Sequence, residues 1–221
     1  MIELIDSTVH LIAAGICAGI AFTQANRLKD RAWVLLGLFS AACFLGDLYW
    51  NLYLIFYQKT PHYSHIPDLC WYTSYIFLLM LLTYVRRQHR SGITPIQALR
   101  RTASHRTLWL IPVFTVGMCI FYMQRGDYLG NIITVILMTA LIAYSADGLI
   151  EEKQRNRTGM HSGSAKALCI VSLLMCFAEY GMWTASCFWA GDTITNSYFW
   201  FDSLMSLTFL MFPSALRKAV A

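Results

Sequence analysis

The sequence predicts an all-α, polytopic membrane protein of seven transmembrane helices, and three observations carry that expectation. Charged residues make up only 13% of the chain, against about a quarter in an ordinary soluble domain. Apolar stretches of spanning length recur along the whole of its 221 residues. The basic residues gather in alternate connections between those stretches.

A spanning helix needs about 20 mostly apolar residues. Seven stretches qualify, over 8–24, 33–57, 67–85, 107–124, 129–150, 166–190 and 197–214. They are long and do not alternate polar with apolar, so helices rather than barrel strands satisfy the backbone in hydrocarbon. Residues 1–221 are read as a single transmembrane domain. No Lys or Arg precedes the first run and no small-residue cleavage pattern follows it, so it is expected to be a span and not a signal peptide. Trp and Tyr cluster near the expected helix ends, where amphipathic rings favour the headgroup boundary.

Lys and Arg in short loops stay on the cytoplasmic side. Of the 17 basic residues, all but Lys59 and Arg125 fall after odd-numbered spans: Arg27, Lys29 and Arg31; then Arg86 to Arg106; then Lys153 to Lys166; then Arg217 and Lys218. The expected topology is N-terminus out and C-terminus in. The net charge of +5 is thereby assigned to topology, with the lipid bilayer as the expected partner and no nucleic acid. The long loop from Arg86 to Arg106 either only fixes topology or also attracts anionic headgroups or a cytoplasmic partner, at about 1 kcal/mol per basic residue.

Two stretches echo each other. Gly46-Asp47-Leu48-Tyr49-Trp50 is followed by an outer loop and Asp68-Leu69-Cys70-Trp71-Tyr72. Glu179-Tyr180-Gly181-Met182-Trp183 is followed by an outer loop and Tyr198-Phe199-Trp200-Phe201-Asp202. A parallel 3+1+3 plan would make 8–85 and 129–214 repeats and 107–124 a linker helix. Chance recurrence in two hairpins at one interface is the other reading.

A carboxylate within a span costs at least about 2.5 kcal/mol, so each is a functional candidate. Asp47, Asp68, Glu179 and Asp202 are expected in the outer half of the membrane, with Asp147 an interface residue near the inner end of its helix. Trp50, Asn51, Tyr72, Tyr75 and Trp183 share the outer level, and Asp68, Tyr72 and Tyr75 are spaced to lie on one helix face. Together these nine residues are read as an acidic, aromatic pocket open to the outside, suited to a small amphipathic or cationic ligand. Interhelical hydrogen bonding, at around 0.6 kcal/mol per contact, is the plainer account of each taken singly.

Metals and cofactors are not expected. The seven cysteines form no C-x-x-C pair and read as small core residues. His62 and His65 beside Asp68 belong to no helical zinc pattern, and His10 adds little. A Walker loop, H-E-x-x-H, G-x-S-x-G, paired haem histidines and a lysine in the seventh span are all missing.

From Leu45 to Tyr84, the chain resembles the seven-helix sensory module found N-terminal to many bacterial diguanylate cyclases and histidine kinases. Gly46 to Trp50, Ile66-Pro67-Asp68, Tyr72 and Tyr75 carry that likeness, with Tyr198 through Asp202 to Pro213 resembling the module's last helix. The resemblance implies a sensor in a bacterial cytoplasmic membrane. The sequence ends at Ala221 without an output domain, so signalling is expected to pass through a separate cytoplasmic partner. A weaker resemblance is to integral-membrane terpene cyclases, which carry acids on helices 2 and 7, matched loosely by Asp47 and Asp202; their Trp-acid pair is absent, Trp50 being followed by Asn51.

Three functions stay open at this level. The first is a ligand-binding or sensory membrane module. The second is an intramembrane enzyme acting by acid catalysis on a lipophilic, isoprenoid-like substrate, with Asp47, Glu179 and Asp202 catalytic. The third is a small-solute carrier, for which Pro112 and Pro213 are not in equivalent positions.

Overall fold

The computed structural model describes residues 2–58, 65–88, 94–104, 110–124, 128–157, 165–188, 191 and 193–220. Among these residues there are eight helices and no strand: α1 (Ile2–Leu28), α2 (Arg31–Tyr57), α3 (His65–Gln88), α4 (Pro95–Ser104), α5 (Leu110–Met123), α6 (Tyr128–Arg157), α7 (Lys166–Ser186) and α8 (Ser197–Val220). Six of them, α1, α2, α3, α6, α7 and α8, are long and apolar enough to cross a membrane.

The faces of α1 illustrate why the helices associate. Ala13, Ala14, Cys17, Ala18, Ala21 and Ala25 are buried, whereas Ile5, Val9, Ile12, Ile16 and Ile20 are exposed. The larger side chains thus face outward and the small ones inward. In lipid there is little hydrophobic drive between helices, and small residues let backbones approach closely enough for dispersion to hold them. The turn into α2 is tight: Lys29 adopts a left-handed conformation (φ 55°), and the Asp30 carboxylate caps α2 by accepting from the Ala32 N–H at 2.9 Å.

Packing follows a closed order, α1 to α2 to α3 to α6 to α7 to α8 and back to α1, with α2 also touching α8. Helix α5 lies outside this ring against α6. It occupies the place of the fourth expected span, 107–124, and is described over 14 residues. Arg106 on one side and Gln124-Arg125 on the other bound its apolar run.

The stretch expected to be a basic loop, Arg86 to Arg106, is partly helical. Arg86 and Arg87 belong to the last turn of α3. Thr94 and Gln97 then form a reciprocal capping box for α4: the Thr94 N–H donates to Gln97 Oε1 at 2.9 Å and the Gln97 N–H donates to Thr94 Oγ1 at 3.3 Å. Pro95, at the first helical position, suits a cap whose N–H would be unpaired anyway.

Arg27, Arg31, Arg86, Arg87, Lys153, Lys166, Arg217 and Lys218 sit at or near the helix ends on one end of the bundle. Arg86 differs from the others in being buried, at 2% exposure. Its Nη2 donates to Asp147 Oδ2 at 2.9 Å and to Glu151 Oε2 at 2.8 Å, and its Nη1 donates to the Tyr144 carbonyl at 2.8 Å. The guanidinium carbon also lies 4.3 Å from the Tyr144 ring centroid. Asp147, expected at an interface with headgroups, is therefore half of a buried ion pair joining α3 to α6.

Candidate functional site

At the other end of the bundle, ionisable side chains from four helices converge. His10 stands eight residues after the start of α1, Asp47 ten before the end of α2, Glu179 seven before the end of α7, and Asp202 five after the start of α8. At 1.5 Å per residue these positions lie roughly 8–15 Å inside the helix ends. The ring order that sets α8 beside both α1 and α2 brings them together.

His10 is the centre of the group. Its Nδ1 lies 2.8 Å from Asp202 Oδ1, within ion-pair distance. On the ring's far side, Nε2 is 4.0 Å from Asp47 Oδ2, too far for a hydrogen bond. Both of these atoms are buried and unpartnered. The Phe209 ring packs on the imidazole at 5.4 Å between centroids.

Each carboxylate has a further neighbour. The Trp71 Nε1–H donates to Asp47 Oδ1 at 3.1 Å. The Tyr75 hydroxyl stands beside Glu179. The Asp6 carboxyl stands beside that of Asp202, with its Oδ2 buried and without a hydrogen-bond partner. Asp47, Glu179 and Asp202 are exposed by no more than 7%, so three acids and an imidazole share one dry region.

The expected pocket residues divide. Asp47, Glu179, Asp202 and Tyr75 meet at the centre. Trp50 is one layer out, its ring 6.0 Å from Trp71. Asp68 is half-buried in the first turn of α3, three residues before Trp71, with Tyr72 directly after that tryptophan. Trp183 faces another way, edge-on to Tyr122 of α5 at 5.2 Å. His62 and Asp192 lie outside the described residues, as does the side chain of His65.

Asn51 is occupied between helices. Its Oδ1 accepts from Ser7 Oγ at 3.0 Å and Thr8 Oγ1 at 3.1 Å, and its Nδ2 donates to the Ser7 carbonyl at 3.2 Å and the Asp47 carbonyl at 2.9 Å. This is α1–α2 adhesion by the usual membrane means. Asn51→Ala is expected to lower stability by about 0.6 kcal/mol per lost interhelical contact. Thermal denaturation in detergent checks it, and a variant indistinguishable from wild type would remove the adhesive role.

Sequence reasoning undervalued His10 and passed over Asp6 and Trp71. One signal was available: Asp6 and His10 are four apart, hence on one helix face, and an ionisable pair in an apolar run carries the same cost as Asp47. Trp71 was visible only as one aromatic among many.

The two echoing stretches share a packing feature. A side chain at Gly46 would meet Trp71 of the next helix at 2.8 Å, and one at Gly181 would meet the Phe201 ring. Each glycine, next to Asp47 in one case and two residues after Glu179 in the other, lets the following helix come close.

Among the described residues no group of three or more His, Cys, Asp or Glu side chains has the arrangement to hold a metal ion. Among the described residues no cysteine is joined in a disulfide, and Cys17, Cys43, Cys169 and Cys176 are buried. No protein-family model, no curated protein and no solved structure matches the chain.

Proposed function

We propose that this chain is a membrane-embedded ligand-binding or sensory module whose binding centre is the His10 cluster. One observation carries the reading: Asp6 Oδ2, His10 Nε2 and Asp47 Oδ2 are buried without hydrogen-bond partners in a single small region. Each such atom costs about 1–3 kcal/mol while unsatisfied. A guest that hydrogen-bonds to them recovers that cost, which is a strong basis for recognition. Trp71 and Tyr75 supply aromatic surface beside the acids, so the ligand class is a small amphipathic or lipophilic molecule with donor groups or positive charge.

The basic residues at the opposite end of the helices support an N-out, C-in orientation. The cluster then lies towards the outside, in a bacterial cytoplasmic membrane, and the basic end offers a cytoplasmic signalling partner its contact surface. The ring order supports the parallel repeat: a two-fold axis that exchanges α1–α3 with α6–α8 also exchanges the α3–α6 contact with the α8–α1 contact.

The test is mass spectrometry of small molecules released from protein purified in native lipid. Wild type is expected to retain a specific compound that Asp47→Asn and Asp202→Asn both lose. Equal retention in all three proteins would rule the centre out as the ligand site.

A second reading is favoured by the gathering of Asp47 and Asp202 on either side of His10, since carboxyls crowded together away from water favour keeping a proton. An acid held protonated beside His10 suits proton donation to an alkene or epoxide, with Asp47 and Glu179 near the cation formed. Conversion of the retained compound over time by wild type, but not by Asp202→Asn, would establish that reading over simple binding.

A further inference from the structure

We infer that the His10 cluster is a proton-binding site in which the imidazole carries a proton between Asp202 on α8 and Asp47 on α2. Charge count and placement both lead there. Around His10 stand Asp6 of its own helix, Asp47 of α2, Glu179 of α7, and Asp202 with Tyr198 of α8. As an imidazolium His10 would balance at most one carboxylate, and as a neutral imidazole it balances none. Four acids gathered in an apolar bundle therefore require further protons, because like charges at close range and away from water disfavour the ionised form.

The geometry supplies a path. Asp6 is only half-buried, towards the end of α1, and touches Asp202. Asp202 Oδ1 is 2.8 Å from His10 Nδ1, and the other ring nitrogen faces Asp47 Oδ2 across 4.0 Å. Transfer conserves protons: Nδ1 accepts one from the Asp202 carboxyl, Nε2 delivers one to Asp47 Oδ2, and the imidazole is left as its other neutral tautomer. The 4.0 Å gap is the step that requires movement, closing when the ring or α2 shifts by about 1 Å to reach hydrogen-bond distance. The unpartnered Nε2 and Oδ2 are the two atoms that such a shift would join. Trp71, bonded to the other oxygen of Asp47 at 3.1 Å, holds that carboxylate in place to receive the proton.

The inference uses the same cluster as the ligand-binding reading but needs no ligand. Infrared spectroscopy of the full chain in nanodiscs, stripped of bound small molecules, tests it by titration in H2O and D2O. Wild type is expected to show protonated-carboxyl C=O bands that shift in D2O and titrate. Part of that intensity should disappear in Asp47→Asn and another part in Asp202→Asn. In His10→Gln the two carboxyls should titrate separately, where wild type shows one coupled step. A wild-type spectrum without titrating, exchangeable carboxyl bands would overturn the proposal, even if no variant folds. Bands unchanged in both Asn variants would overturn it as well. Equal retention of a compound by wild type and both Asn variants, with these bands behaving as expected, would remove the ligand reading and leave the proton site standing.

Discussion

Arg86→Ala is expected to destabilise the protein by about 3–5 kcal/mol, the usual cost of removing one partner from a buried ion pair. The substitution leaves Asp147 buried at 6% exposure without its cation, deprives Glu151 of its partner at 2.8 Å and frees the Tyr144 carbonyl. Arg86→Lys keeps the charge but cannot serve three acceptors with a planar fork, so it should fall between Ala and wild type. Replacing the pair by Arg86→Met with Asp147→Leu should recover much of the loss, because apolar side chains need no partners. Thermal and denaturant unfolding in detergent give the comparison. Arg86→Ala unfolding with wild type would mean that the network contributes nothing net to the α3–α6 contact.

Gly181→Ala carries the second large effect, expected at about 1–3 kcal/mol for overpacking a tight contact. The new methyl would meet the Phe201 ring directly, which is why α7 and α8 approach as closely as they do. Phe201 lies one residue before Asp202, so pushing α8 away also moves a carboxylate of the His10 cluster. Gly181→Ala should therefore lower thermal stability and, on the proposed ligand-binding reading, the retention of a compound at that cluster. Pairing it with Phe201→Leu should restore part of each, as expected for two substitutions that share one space. Additive losses in the double variant would show that the two residues do not compete for it.

Much of the architecture was legible in the chain itself. The six long helices fall close to the apolar runs, because in lipid a backbone has few other ways to satisfy its polar groups. The level of Asp47, Glu179 and Asp202 followed from counting residues back from helix ends. The capping box Thr94-Pro95-Ile96-Gln97 was present as a pattern but hidden within a stretch read as a basic loop. Span 107–124 corresponds to α5, described over Leu110–Met123. Arg86 was grouped with the surface arginines because local sequence marks only its position at a helix end, and its burial depends on α6.

Helix class, the approximate extent of six spans and the segregation of basic residues to one end were determined by the sequence alone, since each is a property of single segments in hydrocarbon. Which ionisable groups meet was decided only by tertiary structure. Asp6, His10, Asp47, Glu179 and Asp202 are separated by up to 196 positions in the chain, and periodicity within one helix cannot report a neighbour on another. The closing of α8 against α1 and α2 brings His10 between two carboxylates. That contact depends on small residues and on Gly181 setting how closely helices approach, a matter of packing that no single segment encodes.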